Sequence, residues 1–289
     1  MKQTKQINKK QREIIITREF SSIGEFYSYI KETEVNETFK DAKLSSETGS
    51  YKFTGTESYE EAENLLLNGC SKMAKKLNEA VEKANMKMTK EERKMVYDIC
   101  GYQASVPRYL QGAPTNMINT KVVVKKNKVI TLNKMINYNC GVSTETIIDE
   151  SVKLVRVIRM IESSGTRVNL NLLNVSHGIT KIDGRNYEHY EVLKIRLKNS
   201  NQKLNISKLA FPLVHPSMLR RIIFRYFEVV PTIPSSFRWG YGHPATDTKS
   251  SSINKGEFNL PTRLSFYNID RIKDGGIETL KEITNYVEK

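Results

Sequence analysis

Three arginines close together in the chain have side chains suited to holding oxyanions. Arg220, Arg221 and Arg225 lie within residues 209–231. A guanidinium group is a planar fork that pairs with phosphate or carboxylate two bonds at a time. The cluster therefore predicts contact with successive phosphates or with a partner's carboxylates. The alternative is a solvated pair between Arg225 and Glu228, which would contribute little to stability.

A helix must position these arginines. Pro216 suits the first helical position, and Pro231 ends the segment. Apolar residues fall between them at helical spacing and predict one core-facing side. They are Leu219, Ile222, Ile223, Tyr226 and Val230. With the arginines on the exposed side, charge reversal at Arg221 and Arg225 is expected to weaken nucleic-acid binding with little loss of stability.

Two other groups of cations are candidates for the same role. Residues 1–12 include Lys9, Lys10 and Arg12 and contain no acid, which predicts a disordered basic arm. Arg238 lies among aromatic residues that would suit stacking on bases. These are Phe237, Trp239 and Tyr241. Anchoring a long loop to the core is an equally good use for them.

The motifs of common catalytic chemistries are not found in the sequence. The four histidines lack zinc-protease spacing, no glycine-rich phosphate loop occurs, and the three cysteines form no CxxC pair. Asp183, Glu191 and Lys194 faintly resemble a nuclease set, but Glu191 and Lys194 would lie on opposite faces of a strand. We predict no catalytic residue, no bound metal and no cofactor.

The charge of the chain points to an anionic partner. The chain has 46 Lys and Arg against 32 Asp and Glu, a formal net charge of +14. Such an excess attracts polyanions, so nucleic acid is the first partner to consider. The competing explanation is compositional, because the chain is rich in Lys, Asn and Ile. The sequence has no long apolar run or signal-type segment, so we expect a cytoplasmic protein with no membrane partner.

The first part of the chain is predicted to be mainly helical over residues 13–105. A short strand is expected at 13–17, followed by a helix capped by Ser21 or Ser22. Ser58 and Glu61 form a capping box for a helix to Leu67. Further helices are predicted over 71–84 and from Thr89 onward.

Residues 106–230 are predicted to form an α/β core. Strands are expected near 121–124 and 129–136, then a helix capped by Ser143 or Thr144 that ends near Ser163. Further strands are predicted at 167–175 and 190–197, with an Asp183-Gly184 turn between them. Strand, helix and strand form a right-handed crossover. The fold class is therefore α/β or α+β, a mixed sheet flanked by helices. Residues 231–289 are predicted to be a long loop and a C-terminal helix at 277–287.

The start of this core resembles, in outline, the first crossover of a von Willebrand A-like domain. The metal site of that family needs Asp-x-Ser-x-Ser after the strand, where this chain has Asn137, Asn139 and Gly141. Neutral amides without a carboxylate are poor magnesium ligands. The resemblance thus implies an architecture without the metal.

An ordered set of short motifs resembles an uncharacterised family of bacteriophage and mobile-element proteins. The motifs include Phe53-Thr54-Gly55-Thr56, Val106-Pro107-Arg108-Tyr109-Leu110, His215-Pro216 with Arg220-Arg221, and Gly240-Tyr241-Gly242. The resemblance implies a viral origin and a role in the cytoplasm of an infected bacterium. It supplies no activity or catalytic residues.

Two functions of different classes follow from these observations. The first is a phage-encoded, non-enzymatic protein that binds DNA or RNA through the basic arm and the arginines. The second is a protein-interaction or oligomeric assembly role, such as a host-defence inhibitor or a virion component. Its partner would be a host or phage protein or further copies of the chain, and the loops at 36–51 and 231–261 would provide the surface.

Overall fold

A computed structural model describes residues 1–40, 43–83, 93–122, 128–138, 141–163, 165–231, 233 and 257–260. The strands in this part of the chain are β1 (Lys2–Asn8), β2 (Glu13–Phe20), β3 (Arg93–Asp98), β4 (Gln103–Ala104), β5 (Met117–Val122), β6 (Val129–Met135), β7 (Arg167–Ile182), β8 (Arg185–Lys198) and β9 (Glu257–Leu260). The α-helices are α1 (Ile23–Glu32), α2 (Tyr51–Thr54), α3 (Tyr59–Asn68), α4 (Ser71–Lys83), α5 (Val106–Leu110), α6 (Thr144–Ser163), α7 (Ile206–Val214) and α8 (Phe224–Val229).

Six strands form the main sheet, in the order β1-β2-β8-β7-β6-β9. The pairs β2–β8, β6–β7 and β6–β9 are parallel, whereas β1–β2 and β7–β8 are antiparallel. A second sheet has the order β3-β5-β4. The predicted fold class, a mixed sheet flanked by helices, is confirmed.

The predicted crossover is present as β6, α6 and β7. The backbone N–H of Thr146 donates to the Ser143 hydroxyl at 3.3 Å, so Ser143 caps α6 as expected. β7 and β8 then form a long hairpin closed by Asp183 and Gly184, whose φ angles are 50° and 73°. Two successive left-handed residues give the turn that matches strand twist, which explains the Asp-Gly pair. Because of this hairpin, β8 runs antiparallel to β7.

Helices cover one face of the main sheet and bury its alternate side chains. Leu132 of β6, Leu170 of β7 and Ile195 of β8 lie in one continuous hydrophobic core with Phe26 and Ile30 of α1. The N-caps predicted for α1 and α3 are confirmed, since Ser22 and Ser58 accept hydrogen bonds from the backbone three residues later. No helix in the described part of the chain is long and apolar enough to cross a membrane.

The structure corrects three predictions of local structure. Residues 1–12 are not a disordered arm, because β1 pairs along its whole length with β2. Its side chains are all exposed, so no hydrophobic pattern marked it as a strand. Residues 93–98 form a strand, not a helix that begins near Thr89, and residues 257–260 add β9 to the sheet within the region predicted to be a loop. The helix predicted at 277–287 lies outside the described residues.

Burial of His215 predicts a loss of stability in mild acid. The ring stacks on Phe211 at 5.1 Å, and its Nδ1 accepts from the Ser217 backbone N–H. Burial lowers the pKa of His215 from 6.5 to about 4. Between those values the unfolded chain takes up a proton that the folded chain does not. The contribution of the neutral, buried His215 ring to stability is therefore present above pH 6.5 and lost as the pH falls toward 4.

Going from about pH 7 to about pH 5 should lower the free energy of unfolding by about 2 kcal/mol through this group. Urea unfolding of wild type and of His215→Gln at both pH values checks this. The variant should lose less stability on acidification than wild type. Equal losses would show that His215 is not the responsible group.

Candidate nucleic-acid interface

Arg221 lies inside the protein, not on an exposed helix face. It belongs to a π-helical segment, Met218–Ile223, in which every residue is buried. We call residues 43–57 the covering segment, because this polar stretch packs over the π-helix. The Arg221 guanidinium donates to the Thr56 hydroxyl at 2.7 Å and to the carbonyls of Ser46, Thr56 and Glu57 at 2.9–3.1 Å. The predicted exposure of Arg221 is therefore wrong.

Arg220 is also bound to the covering segment. It is buried, donates to the Phe53 carbonyl and stacks over the Phe53 ring at 4.4 Å. The amphipathic pattern was read correctly for the apolar residues, which are all buried. The other side of the helix was predicted to face solvent. In the structure it faces the covering segment, whose carbonyl groups accept hydrogen bonds from the arginines. Arg220 and Arg221 thus join the π-helix to the covering segment, and neither guanidinium is exposed for contact with phosphates.

Arg225 is only partly exposed and has acidic neighbours. Its guanidinium lies 3.2 Å from a Glu47 carboxylate oxygen and 3.9 Å from one of Glu228. The predicted pair with Glu228 exists, but it is not solvated, because Glu228 is buried and accepts from the Ser46 backbone N–H at 2.9 Å. Arg225 therefore has little capacity left for an outside anion.

Lys9, Lys10 and Arg12 lie together at the turn between β1 and β2, and all three are exposed. The turn is held in place, since the Arg12 carbonyl accepts from the Glu188 backbone N–H at 2.8 Å. These three cations are therefore exposed to solvent, on an ordered turn and not on a disordered arm. Arg238, with its neighbouring aromatic residues, lies outside the described residues.

The second sheet carries a more promising surface. We call residues 93–122 the small lobe; it consists of β3, β4, α5 and β5. In the small lobe β3 and β4 both pair antiparallel with β5. Gly101 makes this possible, because a Cβ there would lie 2.1 Å from the Ile118 carbonyl oxygen. Among the lobe's side chains that the structure describes, Ser105 alone is buried.

Among the described side chains of the small lobe, seven large hydrophobic ones are exposed. Met95 and Leu110 are 74% and 78% exposed, and even the least exposed of the seven, Tyr97, is 52% exposed. The others are Ile99, Tyr102, Val106 and Tyr109. Scattered exposed apolar residues are normal, but a concentration of this kind marks an interaction surface.

A cation, Arg108, lies among these aromatic residues. The Arg108 guanidinium stacks over the Tyr97 ring at 4.4 Å and is fixed by bonds to the Thr115 carbonyl and hydroxyl at 2.9 and 3.2 Å. The Tyr102 hydroxyl lies 3.7 Å from the Met95 sulfur on the same side of the sheet. We call the exposed rings of Tyr97 and Tyr102, together with the Arg108 guanidinium that stacks on Tyr97, the platform.

Acidic residues are almost absent from the small lobe. Asp98 is its one acid, and its carboxylate pairs with Lys121 at 2.7 Å, which lowers the pKa of Asp98. From residue 99 to residue 144 the sequence contains no Asp or Glu. This acid-free run, with Met95 and Tyr97 alternating along a strand before it, is the sequence signal that could have indicated the platform.

The nuclease-like residues do not form a metal site. Asp183 is exposed in the hairpin turn, and Glu191 is buried in an ion pair with Arg18. Lys194 faces the other side of the sheet, as the spacing predicted, and pairs with Glu257 at 2.9 Å. Within the described residues no group of three or more His, Cys, Asp or Glu side chains could hold a metal ion.

The side chain of Asn137 is likewise occupied within the fold. It donates to the Val175 carbonyl at 2.9 Å and accepts from the Val175 N–H at 3.0 Å. Asn137 follows strand β6, and Asn139 lies outside the described residues. Asn137 thus links β6 to β7 and has a structural role.

Comparison with known proteins gives a family and no individual relative. No curated protein matches the chain. No solved structure matches it either, so neither a von Willebrand A-like fold nor a phage origin has support from these searches. One family model, described as a domain of unknown function, matches residues 6–289. Since that match covers nearly the whole chain, including both sheets, the protein belongs to the DUF7192 family.

Proposed function

We propose that this protein binds single-stranded nucleic acid on the small lobe. The observation that carries the proposal is the platform of Tyr97, Tyr102 and Arg108 on a surface nearly free of acids. Aromatic rings and guanidinium planes stack on unpaired bases of any sequence, and nearby cations contact the phosphates. Bases in a duplex are already stacked on one another, so a flat platform favours a single strand.

The small lobe exposes most of its described side chains, which favours a function in which a partner covers it. A three-stranded sheet needs a buried hydrophobic face to be stable, and this one buries almost none of its side chains. A partner that stacks on Tyr97 and Tyr102 removes apolar surface from water and adds to stability. The positive charge of the small lobe, from Lys94, Arg108 and Lys121 against Asp98, favours an anionic partner over a second copy of itself.

The exposed turn of Lys9, Lys10 and Arg12 provides a second contact for the same polyanion. Its three cations would act through sequence-independent attraction to phosphates, which weakens steeply with salt. The proposal is for a non-enzymatic protein and includes the setting that the resemblance implied, the cytoplasm of an infected bacterium. The buried arginines Arg220 and Arg221 have no part in it.

Removing the tyrosine platform should weaken nucleic-acid binding. Stacking contributes about 1–3 kcal/mol per base, so Tyr97→Ala and Tyr102→Ala should each raise the Kd about 5- to 100-fold. Fluorescence anisotropy with a labelled single-stranded oligonucleotide measures this, at low and at moderate salt. Tyr51→Ala is the matched control, because Tyr51 is 55% exposed but lies on α2, outside the small lobe.

Equal binding by all three variants and wild type would contradict the proposal. The protein-interaction alternative is favoured by Ile99 and Leu110, since exposed aliphatic side chains do not stack on bases. In that case wild type should form a defined oligomer, free of nucleic acid, in light scattering. The double variant Ile99→Ser/Leu110→Ser should then have a lower mass in light scattering than wild type. The anisotropy of the labelled oligonucleotide should be the same with this variant as with wild type.

A further inference from the structure

A cleft lies on the face of the main sheet that the helices do not cover. Leu170, Leu172, Leu193 and Ile195 point into the helical core. Because side chains alternate along a strand, Asn171, Lys194 and Arg196 point to the opposite face. There they line a cleft of about 610 Å³, together with residues of β1, β2, β6 and β9. Small-molecule sites commonly have volumes of about 300–1,000 Å³.

One wall of this cleft is a connected set of hydrogen bonds. Asn171 donates to Asn133 at 2.7 Å, and Asn133 donates to the Glu257 carboxylate at 2.6 Å. Lys194 donates to the same Glu257 oxygen at 2.9 Å. Four strands, β6, β7, β8 and β9, thus hold these polar groups in fixed positions. A wall of this kind orients a polar ligand without having to rearrange.

Two cations at the cleft have no ion-pair partner among the described residues. Both line the cleft: Lys2 lies next to Glu19 in the strand register, and Arg196 lies next to Asn171. The Arg196 Nη1 is buried and makes no hydrogen bond within that part of the chain. An unpaired buried donor on a charged group is unfavourable unless an acceptor binds it.

The acidic residues at the cleft are already engaged. Glu257 is neutralised by Lys194, and Glu25 accepts from the Ser21 N–H and hydroxyl, both at 2.7 Å. Glu19 lies 3.8 Å from Lys194. Three carboxylates in one cleft repel a polyanion such as a nucleic-acid strand, so the cleft suits at most one small anionic group.

We propose that this cleft binds a small molecule through a phosphate or carboxylate group held by Arg196 and Lys2. Guanidinium pairs with either oxyanion through two parallel hydrogen bonds. Asn171, Thr131 and Asn199 line the cleft and supply hydrogen bonds for the uncharged part of the ligand. The site is separate from the small lobe and does not depend on nucleic-acid binding.

Thermal unfolding with two anions tests the site. Inorganic phosphate and succinate are added in separate series, with sodium chloride at matched ionic strength as reference. At about tenfold excess over the Kd, a bound anion should raise the Tm by about 3 °C. Arg196→Met should abolish that rise, whereas Arg185→Met, which removes the same charge from the exposed hairpin tip, should keep it.

Each result decides the proposal. A rise with phosphate alone or succinate alone supports the site and identifies the anionic group. No rise with either anion, or the same rise in Arg196→Met as in wild type, overturns it. Should Arg196→Met itself fail to fold, Lys2→Met removes the other cation on the exposed strand β1, and its response to the two anions is read in the same way.

Discussion

Arg221→Met is expected to lower the free energy of unfolding by about 3–5 kcal/mol, as measured by urea unfolding followed by circular dichroism. Arg221 is fully buried, and its guanidinium satisfies carbonyls of Ser46, Thr56 and Glu57 in the covering segment. Methionine keeps an unbranched, flexible stem but has no donor. Those carbonyls would then be buried without partners, each at a loss of about 1–3 kcal/mol unless water reaches it.

Arg225→Met is the matched control for this prediction. Arg225 lies one turn further along, is 22% exposed in its side chain and pairs with Glu47, which is itself exposed. Its removal should lower stability by less than the removal of Arg221, because the buried Glu228 carboxylate beside it keeps its hydrogen bonds from Ser46. A loss at Arg221 no larger than at Arg225 would show that the covering segment is not held by this arginine. The sequence-based expectation, that charge reversal at Arg221 leaves stability intact, is thereby reversed.

Glu191→Gln should have an effect of similar size, about 3–5 kcal/mol in the free energy of unfolding. Glu191 and Arg18 form an ion pair between β8 and β2 in which both side chains are almost fully buried. The Tyr226 hydroxyl donates to the same carboxylate at 2.8 Å and so connects α8 to the sheet. Without the carboxylate, the buried charge of Arg18 would lose the opposite charge that Glu191 supplies.

A double-mutant cycle separates the pair from its parts. Arg18→Met combined with Glu191→Gln should be less damaging than the sum of the single changes, because the second change removes the charge that the first leaves uncompensated. Glu188→Gln, on the same strand but in an exposed pair with His177, should lower stability by less than about 1 kcal/mol. Additive losses at Arg18 and Glu191 would mean that the two charges are not coupled.

The parts of the fold that could be predicted from sequence are those set by neighbouring residues. Ser22, Ser58 and Ser143 cap helices, because a hydroxyl reaches the backbone only three residues away. Asp183-Gly184 closes the β7–β8 hairpin, since its two residues tolerate positive φ. The strand, helix and strand periodicities that predict the crossover are local in the same way.

The candidate site was missed because exposure depends on residues far apart in sequence. Arg221 follows a regular pattern of apolar and polar positions, yet its polar side is covered by a segment more than 160 residues earlier. Tyr97 and Tyr102 could equally have been core residues. They are exposed because no other element in the described part of the chain covers their side chains.

By itself, the sequence determined the net charge, the helix caps, the hairpin turn and the α/β class, which depend on composition or on contacts within a few residues. The tertiary structure alone decided which cations are exposed. It buries Arg220 and Arg221 under the covering segment, leaves Lys9, Lys10 and Arg12 on an ordered turn, and places Arg108 beside Tyr97. The physical reason is that a charged side chain is exposed or buried according to which distant segment supplies its hydrogen-bond partners.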